Sequence, residues 1–509
     1  MKVFAAIYIG SYEISLKIFE LSAKRGIREI DYIRHRMELG KDIYSYGSVG
    51  YERTEELCNT LEEYTGIMES YRVDDYQACA GPMLKDAQNA LFVLDQIHLR
   101  TGLTVQVLSN SEYRFVSYKS VAMGEGFDEM TREGAAVVDI GGSSLQITLF
   151  IQGKAVTTQH LLLGTMRIRE KLSEIGMLVS EYEKQIRELV DKELNVFQSL
   201  YLRDKTIPYV IFMGDYIADI AENIGKNEEK KLFSSERLIN YTKKLKGCSV
   251  EELAEELNLA NERDPLIRPA LIMYGRIAEA LNAKRVYVPG MSVNDGIAYD
   301  YAQKHNIVKS AHDFDEDVLS AAEQLAMRFF VYEPHIQALQ NMALMIYDTM
   351  KKIHGLGRRE RLLLQTAAIL HDCGKYVSLV NGPQCSYDII MSSEIIGLTH
   401  LEREIVASTV LYNTLPLDEY EKVADKMDQG SYTVVAKLAA ILKVANALDR
   451  SHKQKLKNIR SAVVDKKLVI TIETEDGIGL EKRLFEAKSA LFEEVYSMKP
   501  VIKAKKIYS

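Results

Sequence analysis

The sequence predicts an α/β fold over residues 1–305, an all-α region over 306–460 and a small α+β tail over 461–509. Three observations predict it. Apolar strand-like runs alternate with amphipathic helical stretches through the first part, which is the pattern of layered α/β proteins. A glycine-tipped hairpin occurs twice in that part. Near His312 the pattern turns to nearly continuous helix, and strand-like alternation returns only at Ser461.

The second copy of the hairpin, residues 136–150, organises the chain. An apolar run into Asp139 reads as a buried strand, residues 141–144 as a tight turn, and the alternation of Leu145, Ile147 and Leu149 as the returning strand. Gly141 and Gly142 let successive backbone N–H groups converge on an anion, with Asp139 placed to hold a cation beside it. Residues 5–19 repeat the pattern without a gap: Tyr8 matches Asp139, Gly10 matches Gly141, Ser11 matches Gly142 and Phe19 matches Phe150. An ungapped repeat of this kind reads as an internal duplication, whose two tips can face each other across a cleft and grip one phosphate.

In chain order, a third strand is expected over 31–39 and a helix over 52–70. A turn at Gly81 and Pro82 leads into a helix start carrying Lys85, either a phosphate contact or a solvated helix residue. A strand over 104–108 runs into Ser109, a plausible N-cap, so Glu112 falls in a first helical turn. After the second hairpin, a strand over 154–163 precedes Gly164, and Arg167 and Arg169 are candidates to face an anion. Buried strands follow over 209–214 and 285–290, with helices over 217–224 and 270–281. The helical region places His335 in one helix and His371 and Asp372 at the end of another, over 362–370, with further helices over 401–412 and 434–448. In the tail, strands over 461–464 and 467–473, a turn at Asp476 and Gly477, a helix over 485–497 and a strand near Val501 are expected.

Composition excludes several classes. With 509 residues, 47% hydrophobic and 27% charged, the chain builds several soluble globular domains. Five scattered cysteines without metal-type spacing suit a reducing compartment. No signal segment or long apolar span is evident, so the expectation is a cytoplasmic protein with no membrane partner. A net charge of −8 argues against a nucleic-acid coat protein.

The ordered series of two glycine-tipped hairpins, Leu84 to Asn89, Leu108 to Tyr113, Gly164 to Arg167, Gly214 and Val293 to Gly296 resembles the exopolyphosphatase and guanosine pentaphosphate phosphohydrolase family, in its long four-domain form. The resemblance implies two ribonuclease-H-like domains of the actin-like ATPase superfamily, over 1–125 and 126–305, followed by an HD-like helical domain and the α+β tail. It implies release of terminal orthophosphate from inorganic polyphosphate or guanosine pentaphosphate with Mg2+, in a homodimer. Carried over by position, Glu112 matches the carboxylate that activates water, and Asp139 the metal-proximal carboxylate. Gly10, Ser11, Gly141, Gly142, Ser143 and Ser144 match the phosphate-cradling loops, joined by Lys85 and Arg167. The chain departs from the family at Tyr8, which replaces an aspartate, and at Tyr12, Glu13, Leu145, Gln146 and Asn294. Hydrolysis is the leading expectation; a catalytically impaired sensor of polyphosphate or a guanosine alarmone is the alternative.

In the helical region, His335, His371 and Asp372 resemble the first three ligands of metal-dependent HD hydrolases, with Asn446 where an aspartate is usual. A structural His-Asp pair is weighed against a second divalent metal there, and a nucleotide phosphohydrolase working from this region is the third expectation. The basic residues Lys351, Lys352, Arg358, Arg359, Arg361, Lys453, Lys455 and Lys457 line a polyanion path or are solvated helix faces.

Overall fold

In the computed structural model, the residues described are 1–174, 182–203, 205–214, 216–224, 232–257, 259, 266–309, 312–474 and 478–506. They form two compact units, Met1–Asp313 and Phe314–Ser509.

The first unit is built on two mixed sheets. Strands β1 (Lys2–Ile9), β2 (Glu13–Ser22), β3 (Gly26–Arg36), β4 (Asp75–Ala80) and β5 (Val105–Val107) lie in the order β3-β2-β1-β4-β5. Strands β6 (Ala135–Ile140), β7 (Leu145–Ile151), β8 (Lys154–Leu161), β9 (Tyr209–Gly214), β10 (Leu232–Ser234) and β11 (Arg285–Tyr287) lie in the order β10-β11-β9-β6-β7-β8. Read from β8, the second sheet repeats the first: an antiparallel meander of three strands, then two strands parallel to the first of the meander, with β10 added antiparallel at the edge of the second sheet. This is the ribonuclease-H-like arrangement, twice.

The duplication extends to register. Tyr8 lies opposite Ser15 and Ile9 opposite Ile14, while Asp139 lies opposite Gln146 and Ile140 opposite Leu145. Both turns close on the same bond, Gly10 N–H to Glu13 O at 2.9 Å and Gly141 N–H to Ser144 O at 3.0 Å.

Strand β1 is apolar on both faces because both are covered. Ala5, Ile7 and Ile9 pack with Leu57, Leu61 and Tyr64 of the helix Tyr51–Ser70, and Phe4 and Ala6 with Ile297, Tyr301 and Ala302 of the helix Val293–Lys304. In the second sheet Ala136, Val138, Ile140 and Ile147 share a core with Ile186 and Val190 of one helix and Met273 and Ile277 of another. At about 1.5–3 kcal/mol per buried Ile or Leu side chain, this double cover holds the turns between the strands in place.

Several expected bounds move. Strand β3 starts earlier and ends at Arg36, because Leu39 opens a helix, Leu39–Tyr46. The expected turn at Asp476 and Gly477 lies outside the described residues.

The second unit packs the helices Phe314–Arg328, Glu333–Thr349, Arg358–Leu370, His400–Thr414 and Gln429–Leu448 with a three-stranded sheet, β12 (Lys457–Val464), β13 (Lys467–Thr474) and β14 (Lys499–Lys506). The tail is tied to the helices by Thr349 Oγ1 to Ser461 Oγ at 2.6 Å and by Tyr496 OH donating to Lys437 O at 3.0 Å. The single helix expected over 485–497 is two, Gly479–Lys488 and Ala490–Tyr496, broken where the buried Ser489 hydroxyl bonds back to Phe485 O. Gln429–Leu448 is long and apolar enough to cross a membrane by length and composition, a span the sequence reading passed over. Its apolar side chains are largely buried in the unit, as in a core helix.

Candidate functional site

The two hairpin tips meet. A Cβ on Gly142 would lie 2.5 Å from Ser11 Oγ, so the second tip packs directly against the first. Each tip is anchored alike: Gly40 N–H, at a helix start, donates to Ser11 O at 2.7 Å, and Met166 N–H, in the first turn of Thr165–Glu174, donates to Gly142 O at 3.0 Å. The tip carbonyls are thus spent on helix starts. Gly164 permits the second anchor, because a Cβ there would sit 2.2 Å from Gly142 O.

Between the tips lies a pocket of about 60 Å³ lined by Gly10, Ser11, Gly141, Gly142, Ser143 and Ser144, with Gly81 and Tyr113 at its sides. It shares Tyr8, Tyr12, Glu13, Tyr113 and Gly141 with a wider cleft of about 690 Å³. Asp139, from the end of β6, lines that cleft. It is only 7% exposed, and burial pushes its carboxyl above the usual carboxylate range, against the hydroxyls of Ser117 at 2.7 Å and Tyr113 at 3.2 Å that donate to Oδ2.

The six loop residues and Asp139 therefore gather at one place, and three other candidates do not join them. Lys85 is exposed on a short 3₁₀ turn, Pro82–Asp86, and is not among the described residues that line pocket or cleft. Arg167 is turned onto the loop backbone, donating through Nε to Ser143 O at 3.1 Å with its guanidinium 4.7 Å above the Tyr44 ring. Arg169, expected to face an anion, is taken by Glu38 at 3.2 Å and Glu170 at 2.6 Å.

Glu112 has a structural partner of its own. Ser109 caps the helix Asn110–Ala122 in a complete capping box: Ser109 N–H donates to Glu112 Oε2 at 2.7 Å, and Glu112 N–H to Ser109 Oγ at 3.2 Å. The side chain this turn sends into the cleft is the next one, Tyr113. Ser117, one turn further on, completes the face.

The cleft wall carries cations that the sequence reading did not single out. Tyr32, Arg34 and Arg36 line it from β3, with the Arg36 guanidinium 4.9 Å above the Tyr12 ring and that of Arg34 5.3 Å above Tyr32. Their spacing of two along a strand was the available signal. Opposite stand Asp219 and Glu222; burial raises the Asp219 carboxyl and Arg34 lowers it in part. Of the departures, Tyr8 reaches the mouth of the pocket beside Gly81, and its ring lies 5.9 Å from that of Tyr113. Leu145 is core, and Asn294 fixes its helix to the sheet, accepting from Ser15 Oγ at 2.8 Å and donating to Ala6 O at 2.9 Å.

In the second unit His335, His371 and Asp372 lie together, with one candidate donor atom of each within 4.8 Å of the others. Four of the eight basic residues there are paired: Arg358 with Asp315, Arg359 with Glu402, Arg361 with Asp348 and Lys455 with Glu481. Those pairs offset half of the charge of the polyanion path.

Comparison with known proteins bears on both units. The model of the Ppx/GppA phosphatase family matches residues 19–305, and that of Ppx/GppA phosphatase domain III matches residues 319–491. Among solved structures, an exopolyphosphatase from Cytophaga hutchinsonii is similar at 16% identity and a TM-score of 0.53, over 61% of this chain and 100% of that one. A Ppx/GppA family member from Aquifex aeolicus is similar at 20% identity and a TM-score of 0.50, over 60% of this chain and 99% of that one. At these identities the likeness speaks for the fold.

Proposed function

This chain belongs to the Ppx/GppA phosphatase family, and from that premise we propose that its cleft takes the terminal phosphoryl group of inorganic polyphosphate, or of guanosine pentaphosphate, and hydrolyses it slowly. The observation that carries this is the abutting pair of tips, closed by the same hydrogen bond and anchored on helix starts in the same way, around one small pocket beside Asp139. Phosphoryl transfer to water needs position and charge neutralisation more than covalent help, and paired backbone turns supply position.

Magnesium fits the donor set. Asp139 is a buried carboxylate met by two hydroxyls, and a hard divalent cation bound by one carboxylate and substrate phosphates suits it. Asp139 would hold the ion, with Ser117 and Tyr113 orienting the carboxylate; bound there, magnesium supplies charge neutralisation on the phosphoryl oxygens. The chain's own groups do the rest. The loops fix the end phosphate, while Arg34 and Arg36 attract the remaining anionic chain along the wider cleft. We assign Glu112 to positioning: its capping box sets the turn that presents Tyr113 and Ser117 to Asp139.

Slow turnover follows from what lines the cleft. Tyr8, which departs from the aspartate usual in the family, and Tyr113 line the cleft with Asp139, and neither position supplies a carboxylate able to accept a water proton. The same two tyrosines favour a second reading, a protein that binds polyphosphate or a guanosine alarmone without turning it over. Orthophosphate release from long-chain polyphosphate during a magnesium titration, run beside a binding isotherm, separates the two. Magnesium-dependent release lost in Asp139→Asn supports hydrolysis. Undiminished binding with no release supports the second reading, and no binding of either anion overturns both.

A further inference from the structure

The second unit holds a cluster that the cleft chemistry does not use. His335 begins the helix Glu333–Thr349 and His371 directly follows Arg358–Leu370; they are 1% and 4% exposed, with ring centroids 5.1 Å apart. The partners of the Nδ1 atoms decide which ring atoms are available. His335 Nδ1 lies 2.8 Å from Asp449 Oδ2, and His371 Nδ1 lies 2.9 Å from Ala368 O. A carboxylate and a carbonyl only accept, so each Nδ1 carries hydrogen and Nε2 is the ring atom left to meet a cation. Both Nε2 atoms are buried without a hydrogen-bond partner.

Two further acceptors are carried by residues beside these partners in the chain. Asp372 Oδ2 lies 3.3 Å from His371 Nε2, unaligned for a hydrogen bond, and Asn446 Oδ1 is buried without a donor one helical turn before Asp449. Acceptors gathered in a dry interior are costly unless a cation meets them. Asp449 is itself held in place, accepting from Gln454 N–H and Nε2–H at 2.9 Å each, so it serves as a fixed orienter of the His335 ring. Lys375 Nζ, 2.5 Å from Asp372 Oδ2, is the cation now nearest the carboxylate.

We propose that His335 Nε2, His371 Nε2 and the Asp372 carboxylate, with Asn446 Oδ1 as the fourth donor, bind one divalent first-row transition-metal ion. Two imidazoles select an ion of the zinc, iron or cobalt class over magnesium or calcium. Donors around such an ion stand about 3.3–3.5 Å apart for bonds of about 2.0–2.1 Å. The present spread of up to 4.8 Å therefore closes by side-chain rotation, with Asp372 leaving Lys375. The inference is independent of the cleft reading, since it rests on other residues and another class of ion.

The test is a titration of the full-length, EDTA-treated chain with Co2+, read by visible d–d absorption, beside metal analysis of the protein purified without chelator. One equivalent of Co2+ is expected, displaced by Zn2+, without the thiolate charge-transfer band that binding at a cysteine gives. His335→Ala and His371→Ala abolish the signal. Asp449→Asn, which keeps every donor but loosens the His335 ring, weakens binding about 10- to 100-fold. Lys375→Met tightens it, and Asp139→Asn leaves it unchanged. Circular dichroism identifies any variant that fails to fold, and Lys375→Met and Asp449→Asn then decide. A folded wild-type chain that takes up no Co2+ or Zn2+ at millimolar concentration overturns the proposal in favour of a protonated His371 paired with Asp372. So does a signal that survives both histidine variants.

Discussion

Replacing Glu112 separates two jobs that one carboxylate can do. Its Oε2 accepts the Ser109 N–H at 2.7 Å, at the start of the helix Asn110–Ala122, where the helix dipole adds to the attraction. Glu112→Ala deletes that half of the capping box and costs about 1 kcal/mol, which lowers the melting temperature of a unit this size by about 1–2 °C. Glu112→Gln keeps an acceptor oxygen in the same place and restores most of the loss. A residue that removes a proton from water behaves otherwise: Gln and Ala lower turnover alike, by about 10²- to 10⁴-fold. The assay is a calorimetric melt of each variant beside orthophosphate release from long-chain polyphosphate at saturating magnesium. We expect Glu112→Gln to melt with the wild type and release phosphate within about twofold of it, by a cap's restoration. A variant that melts normally but loses two orders of magnitude in release, about the smallest loss of a general base, refutes the positioning role and makes Glu112 the water-activating group.

Other outcomes follow from the same cleft. Tyr8→Asp returns a carboxylate to the cleft that Asp139 lines, and magnesium-dependent release rises at least about tenfold; no rise in a folded variant refutes the assignment of that position. Burial holds the Asp139 carboxyl high, so the native state binds more protons than the unfolded chain from pH 3.8 up to the folded pKa. Stability contributed by this group therefore falls as pH rises through that window, and denaturant melts without metal show a wild-type minus Asp139→Asn difference with that slope, or the placement is wrong. Gly164→Ala puts a methyl group 2.2 Å from the Gly142 carbonyl, costing about 1–3 kcal/mol and weakening polyphosphate binding through the displaced tip; a neutral melt and isotherm contradict that. In the second unit, burial first and Lys488 second lower the Lys443 ammonium to about 8 from 10.5. Stability then rises from pH 8 towards 10.5, as the unfolded chain holds the extra proton, and Lys443→Met loses that rise in denaturant titrations.

The fold was legible because it repeats. Tyr8 aligned with Asp139 and Gly10 with Gly141 in the bare sequence, and the sheets return those alignments as register and as one shared turn bond. The site was legible in part. Backbone tips announce themselves through glycine, whose role is local, so Gly10, Gly141 and Gly142 were found together with their serines. Side chains such as Arg167, Arg169 and Glu112 were read by position, and each is drawn to a partner remote in sequence or hidden in a cap. Tyr113 and Arg36 went unnoticed because neither residue type marks chemistry alone.

What the sequence by itself determined is the pair of hairpins and the helical unit after them, since periodicity and glycine placement act over a few residues and need no knowledge of the rest. Only the tertiary structure decided which side chains of the helix Asn110–Ala122 face the cleft. Neighbouring positions in one helical turn point about 100° apart, and it is the packing of Asn110–Ala122 against Asp139 that turns Tyr113 inward and leaves Glu112 to its cap.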